Sequence, residues 1–305
     1  MCKTLRFVLA LFTGALALPL ETVSLAGASG SAAPQCIVSL SPTATETLFA
    51  IGAGPQVQAV DTDSDYPTTG LPSKRINAFN PSVEAILAIC KSTATHPSTK
   101  PDLVVISYDA NSIQQKLANV GVKVVDQDAA TSVANALEQI RQLGTLTGHV
   151  AKADALSVSL DATIRADIKS IPPHPSKKIT VYYETGTNPY YSLTSQTFVG
   201  SLMKSLGLVN IADADSTTAD AGYPELSAEY IISANPKLIF LAGTASPASV
   251  AKRPGFSKVS AVEYHNVVEL NADISSRWGP RLGLLMNQLT SVVKTTLAES
   301  KLWKK

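Results

Sequence analysis

The sequence predicts an α/β protein of two lobes, each with a parallel sheet of Rossmann type, joined by a single long α-helix. Three observations carry this expectation. Short β-branched runs alternate with helical stretches in both halves of the 305 residues. Between the halves, residues 149–170 hold neither glycine nor proline, and Ala155, Leu156, Val158, Leu160, Ile164 and Ile168 recur at helical spacing. Finally, two distant segments follow one plan. Pro81-Ser82-Val83-Glu84-Ala85-Ile86-Leu87 leads to Pro101 and the run Leu103–Ile106, and Glu225–Ile232 leads to Pro236 and Leu238–Leu241. Each reads as a short helix with an apolar stripe, then a proline, then a buried strand. Each carries one acid, Glu84 or Glu229, where the helix faces solvent, and a matched pair of surface carboxylates suggests one partner gripping both lobes.

The first elements follow from punctuation and pattern. Cys36–Leu40 is a strand ended by Ser41-Pro42, and Thr43–Gly52 a helix with Glu46 in its first turn. Val57–Val60 is a second strand, leading to the polar loop Asp61–Pro67. After the Glu84 helix and the Val104 strand come a helix over 112–119, a strand over 122–125 and a helix over 132–146. Residues 91–100 read as a solvated excursion. The rod from His149 is closed by Pro172-Pro173-His174-Pro175, and a new strand starts at Lys178. One crossing helix, rather than several hinge strands, is the architecture expected; the alternative is a peripheral helix of one large domain. The expected divisions are 1–33, 34–148, 149–171 and 172–305, the first being a signal peptide.

That N-terminal segment has the pattern of an export signal. Lys3 and Arg6 precede an apolar run from Phe7 to Leu20, broken only by Thr13, Gly14 and Pro19, and small residues follow at Ala26-Gly27-Ala28 and Ser31-Ala32-Ala33. A membrane anchor is the alternative, but the run falls short of the roughly 20 residues that span a bilayer. Cys2 comes too early for lipidation, and Cys36 follows Pro34-Gln35. A periplasmic or secreted location is expected. Export gives the remaining cysteines meaning: an oxidising compartment favours a Cys36–Cys90 bond, with two buried free thiols as the alternative.

Composition narrows the function. A net charge of +1 and 16% charged residues leave no basic field for nucleic acid. His96, His149, His174 and His265 show no ligand spacing, so a zinc or manganese receptor is a weaker reading. No Gly-x-Ser-x-Gly elbow occurs, and Ser41-Pro42-Thr43 stands where a dinucleotide-binding glycine turn would follow the first strand. An enzyme is not expected. Loops after strand C-termini supply Tyr66, Tyr108, Tyr190, Tyr191 and Trp278 with Asp109, Asp273 and Arg277. Flat rings with a few charges suit a large planar or amphipathic ligand.

In order and spacing, several pieces together resemble one family. They are Leu40-Ser41-Pro42 with Thr45-Glu46; Ser64-Asp65-Tyr66-Pro67; the Glu84 helix with Lys100-Pro101-Asp102-Leu103-Val104; Gly186 with Asn188-Pro189; Tyr223-Pro224 ahead of Glu229; and Arg253-Pro254-Gly255-Phe256 leading to 273–281. The chain resembles the periplasmic substrate-binding proteins of ABC importers for vitamin B12, haem and iron chelates, in which one long helix joins two α/β lobes. The likeness extends from Cys36 to the C-terminus and is strongest toward cobalamin binders. It implies that Glu84 and Glu229 pair with basic residues of a permease dimer, and that Asp273, Arg277 and Tyr223 line a cobalamin site. Phe79 and Tyr108 stand nearest to positions where tryptophans would be, and Asp63 where a tyrosine would be. The expected ligand-binding set is therefore Asp63, Tyr66, Phe79, Tyr108, Tyr190, Tyr223, Asp273, Arg277 and Trp278. It implies a monomer without a cofactor of its own that delivers cobalamin, or else haem or a ferric siderophore.

Overall fold

The computed structural model describes residues 33–94, 97–174, 176–214 and 221–303. The expected signal peptide, apart from Ala33, lies outside them. The N-terminal lobe is a parallel sheet of β1 (Ile37–Leu40), β2 (Val57–Asp61), β3 (Arg75–Ile76), β4 (Leu103–Ile106) and β5 (Val124–Asp126), in the order β3-β2-β1-β4-β5. Every residue of β1 and β4 is buried, as strands covered on both faces require; β4 is apolar throughout, and the one polar residue of β1, Ser39, is hydrogen-bonded by Thr45. Helices α1 (Pro42–Ala50) and α4 (Val133–Thr147) cover one face through Leu48, Leu137, Ile140 and Leu143. Helices α2 (Val83–Leu87) and α3 (Ile113–Asn119) cover the other through Ile86, Ile113 and Leu117. Three of these helices start alike: Ser41, Ser82 and Ser132 accept from the backbone N–H of Ala44, Ala85 and Asn135. Each cap is worth about 1 kcal/mol.

Boundaries shift by a residue or two from the sequence reading, and one shift matters. Proline is well suited to the first helical position, so α1 begins at Pro42 and Glu46 falls in its second turn. There it is buried, not solvated. Helix α2 ends at Leu87, so Cys90 lies beyond it in the following turn. Cys90 is bonded to Cys36, with Cα atoms 6.1 Å apart, tying the entry of β1 to the exit of α2.

Gly148, at φ +78°, ends α4, and α5 (Val150–Lys169) returns antiparallel along it. The two helices touch at Gly144, where an added Cβ would lie 2.3 Å from the Ala153 Cβ, so only glycine fits. Helix α5 has 20 residues, about 30 Å of rise. Its Ala153 and Leu160 belong to the first lobe's core, and Ile164 and Ile168 to the second's. One helix is therefore part of both cores.

The second lobe contains β6 (Ile179–Glu184), β7 (Gly186–Thr187), β8 (Tyr190–Tyr191), α6 (Phe198–Ser205), β9 (Leu208–Asn210), β10 (Glu225–Leu226), α7 (Ala228–Ala234), β11 (Leu238–Leu241), α8 (Pro247–Ala251), α9 (Ser260–Glu263), β12 (Val267–Glu269), α10 (Ala272–Ser276) and α11 (Leu282–Ala298). Its main sheet is parallel, in the order β12-β11-β6-β9. Strands β10, β8 and β7 form a small antiparallel sheet beside it. Helices α5, α6 and α11 pack on one face of the main sheet, and α7, α8 and α9 on the other. Among the described residues no helix is long and apolar enough to cross a membrane.

Candidate functional site

Five aromatic rings among the described residues are exposed: Tyr66, Phe79, Tyr108, Tyr191 and Tyr223. They follow β2, β3, β4, β6 and β9 respectively, so all five belong to loops or short strands after the C-terminal ends of parallel strands. In open parallel sheets this is the edge where ligands bind. Apolar rings gathered at one edge, rather than scattered, mark a surface that is covered in use. Local bonds position two of them. Asn77 accepts from the backbone N–H groups of Phe79 and Asn80, and Asn111 donates to Asn80 at 3.1 Å, linking the Phe79 turn to the loop after Tyr108.

The segment after β12 reaches across to the first lobe. Arg277 donates to Glu46 Oε1 at 2.8 Å, Asp65 Oδ1 at 2.7 Å, Asp273 Oδ1 at 2.9 Å and the Asp63 carbonyl at 3.1 Å. Arg281 donates to both oxygens of Glu46 and lies 4.3 Å over the Tyr66 ring. Trp278 Nε1 donates to Gln139 Oε1 on α4 at 2.7 Å. One buried carboxylate thus holds two arginines at the lobe junction. Behind it, Thr45 donates to Ser39 and Ser64 donates to Asp61, with the Ser64 and Thr45 hydroxyl oxygens 2.9 Å apart.

Electrostatics differ between Asp61 and Asp65. Burial pushes the Asp61 carboxyl up, against the hydrogen bond from Ser64. Burial also acts on Asp65, but the bond and charge of Arg277 outweigh it and hold that carboxyl below its usual range. In the second lobe, burial pushes the Tyr183 phenol up to about 12, so it stays protonated at neutral pH.

Tyr183 also helps to line a cavity of about 270 Å³, with Thr185, Tyr223, Ala242, Ser275 and Trp278. A second, of about 610 Å³, shares Ala129, Phe198 and Tyr223 with it and adds Thr131, Thr194 and Asp213. The first is largely apolar and the second about equally polar and apolar, a pairing suited to a ligand with a flat body and polar arms.

The structure places the expected residues unevenly. Tyr66, Phe79, Tyr108 and Tyr223 are on the strand-end edge with their rings exposed. Asp63 is exposed beside them, its carbonyl bonded to Arg277. Trp278 lines the smaller cavity. Arg277 and Asp273 are joined to each other, and Arg277 is spent mainly on the lobe junction. Tyr190 does not reach the edge. It packs on Phe256 with centroids 5.8 Å apart, under Arg253, because alternate residues of β8 face opposite ways. Its neighbour Tyr191 takes the exposed place. Glu46, Asp65, Arg281 and the cavity-lining Thr185 and Ser275 are additions that the sequence reading had not assigned. The four-residue spacing of Arg277 and Arg281 was the available signal for a shared carboxylate. Glu84 and Glu229 are exposed and equivalent, each two residues after a serine N-cap in the first turn of α2 or α7. No group of three or more His, Cys, Asp or Glu among the described residues is arranged to hold a metal ion.

The comparison with known families decides the class. A family model described as periplasmic binding protein matches residues 37–274. The chain belongs to the periplasmic binding protein family. This periplasmic binding protein is 30% identical over 258 residues to YvrC of Bacillus subtilis, an uncharacterised ABC transporter substrate-binding lipoprotein, covering 82% of this chain and 76% of that one. It is 30% identical over 278 residues to the vitamin B12-binding protein of Pectobacterium atrosepticum, covering 89% and 91%. Among solved structures, the periplasmic vitamin B12 binding protein BtuF of Vibrio cholerae superposes with a TM-score of 0.71 at 25% identity, covering 87% of this chain and 99% of that one. The two-lobed parallel α/β architecture is that of its relatives. Those relatives are named as transport binding proteins, and this binding protein is not an enzyme.

Proposed function

We propose that the chain is the extracytoplasmic receptor of an ABC importer and takes a cobalamin-type corrinoid between its lobes. The observation that carries this reading is the gathering of five exposed rings at the strand-end edge of both lobes. Rings supply area at low entropic cost, and few polar groups are then needed to orient a flat ligand. Tyr66, Phe79 and Tyr108 would contact it from the first lobe, and Tyr191, Tyr223 and Trp278 from the second, with Asp63 and Asp273 as polar contacts. Relatives named as vitamin B12- or cobalamin-binding proteins support the ligand class. Any metal arrives within the cargo, and the protein needs no cofactor of its own. An N-terminal signal exports the chain, which works as a monomer. Glu84 and Glu229 meet a permease dimer, one carboxylate for each half.

A second reading is a haem or ferric-siderophore receptor. Four of the five exposed rings are tyrosines, and a phenolate oxygen is a suitable ligand for ferric iron. A visible-absorption titration separates the two, since cyanocobalamin, haemin and ferric chelates are all coloured. Cobalamin is expected to bind well below about 100 μM, a ceiling set by ligand efficiency for so large a molecule. Binding of haemin or a ferric chelate with no response to cobalamin would transfer the assignment to the second reading.

A further inference from the structure

The net charge of +1 hides a segregation along the strand direction. The last residues of β2, β5, β6 and β12 are Asp61, Asp126, Glu184 and Glu269. At the opposite edge the residues immediately before β3, β5, β6 and β11 are Lys74, Lys123, Lys178 and Lys237. Lys91, Lys100, Lys177 and Lys204 stand on the same edge, beside strand entries or the helix ends that lead to them. Local chemistry explains part of this, because helices antiparallel to the strands end here and present carbonyls. Lys74 donates to the Ile89 carbonyl at 2.9 Å, Lys100 to that of Val120 at 2.7 Å and Lys177 to that of Leu297 at 3.0 Å. It does not explain how few acids accompany them. In the first lobe the strand entries carry one carboxylate, Asp102, which accepts from the backbone N–H of Gln35 and Cys36. A cavity of about 460 Å³ beside the disulfide has Lys74 and Lys91 in its lining and no carboxylate. In the second lobe Asp167, Glu263 and Glu299 temper the edge, where Lys177 and Lys237 lie 5.4 and 5.2 Å over the Trp303 ring.

We propose that this lysine edge is an interaction surface for anionic phospholipid headgroups. A lysine-lined edge that also carries a half-buried tryptophan, Trp303, matches the chemistry of a lipid interface. What selects a membrane over other acidic partners is the route of the chain. Strand β1 starts at Ile37 on this edge, so the chain that follows the apolar run Phe7–Leu20 in sequence enters the first lobe here. The residues between Leu20 and Ile37 reach at most about 55 Å when fully extended. The proposal rests on export of the chain but not on its cargo.

Co-sedimentation of the full chain with lipid vesicles tests it. Neutral phosphatidylcholine vesicles measure any contribution of the apolar run, and the gain on adding phosphatidylglycerol measures the lysines. The expected result is a gain that falls steeply with salt. The variant Lys74→Glu/Lys100→Glu/Lys123→Glu, checked for native circular dichroism, should lose about a hundredfold, since each lysine near an anionic surface is worth about fivefold. Double replacement at Lys178 and Lys237 provides a second variant if the first folds poorly. Equal binding to neutral and anionic vesicles, or an undiminished gain in both variants, would overturn the proposal. So would inorganic phosphate releasing the protein far below the ionic strength at which chloride does, because that reports a phosphate pocket and not a lipid surface.

Discussion

Arg277 and Glu46, on different lobes and 231 residues apart in sequence, meet at 2.8 Å with both side chains buried. Arg281 shares the same carboxylate. Removing one partner of such a group leaves the others buried and uncompensated, which typically costs several kcal/mol. Glu46→Ala is expected to lower unfolding stability by about 3 kcal/mol. A double-mutant cycle in urea should show that adding Arg277→Met costs less than the sum of the single changes. Strict additivity would mean that the two side chains do not interact in solution.

The Asp65 carboxyl gives the junction a pH dependence. Its folded pKa lies below the unfolded value, so its contribution is present above the unfolded pKa and is lost as pH falls through the folded one. The stability difference between the protein and Asp65→Asn should therefore shrink toward acid. Thermal melts of both at neutral pH and near pH 3 measure it; a difference that grows on acidification contradicts the assignment.

The Cys36–Cys90 bond closes a loop with a sequence separation of 54. In the chain-entropy model this contributes about 4 kcal/mol by restricting the unfolded state. Cys36→Ser/Cys90→Ser should shift the urea midpoint accordingly while leaving the ligand titration unchanged, because the bond is at the edge opposite the rings. A free thiol titre for the native secreted protein would remove the premise.

Aromatic contacts should dominate ligand binding. Tyr108→Ala and Tyr223→Ala, on opposite lobes and both exposed, are expected to weaken the titration by about tenfold each, in line with about 1 kcal/mol or more per ring contact. Tyr190→Phe should have no effect, since Tyr190 packs inside the second lobe. If the Tyr190 variant alone loses affinity, the inward reading of that side chain is wrong.

Glu84 and Glu229 are exposed on equivalent helix turns, and exposed charges of this kind add little to stability. The double replacement by Ala should keep the ligand titration and the melting temperature and should reduce uptake in cells. Charge pairs at an interface act chiefly on encounter and orientation, so the loss in docking should be larger in dilute buffer than at high ionic strength, where salt already screens the wild-type pairs. Full uptake by the double variant would return both to ordinary surface acids.

The sequence made the regular parts of the fold legible for a simple reason. Strands such as Leu103–Ile106 and Leu238–Leu241 are buried on both faces and must be apolar throughout, and α5 must avoid glycine and proline over its whole length. The small sheet of β7, β8 and β10 was not legible, because strands of two residues have no period to detect. That is also why Tyr190 and Tyr191 could not be told apart: in so short a strand only the partner register fixes which ring turns inward. Glu46 was visible as a residue but not as a junction. A carboxylate in an early helical turn looks solvated until the arginines that bury it, more than two hundred positions away, are brought alongside.

Among the described residues, helix α5 is the only passage of the main chain between the two sheets, and it has no break along its length. Large domain closure needs a few residues that can absorb changes in φ and ψ, and an unbroken helix anchored in both cores offers none. An importer that recognises the outer helices of both lobes then meets nearly the same spacing whether or not the cleft is filled. On the proposed receptor role, empty copies would compete with loaded ones for the same dock. Import would then follow the ratio of occupied to vacant receptor, and overproducing the receptor at scarce ligand is expected to slow uptake instead of speeding it.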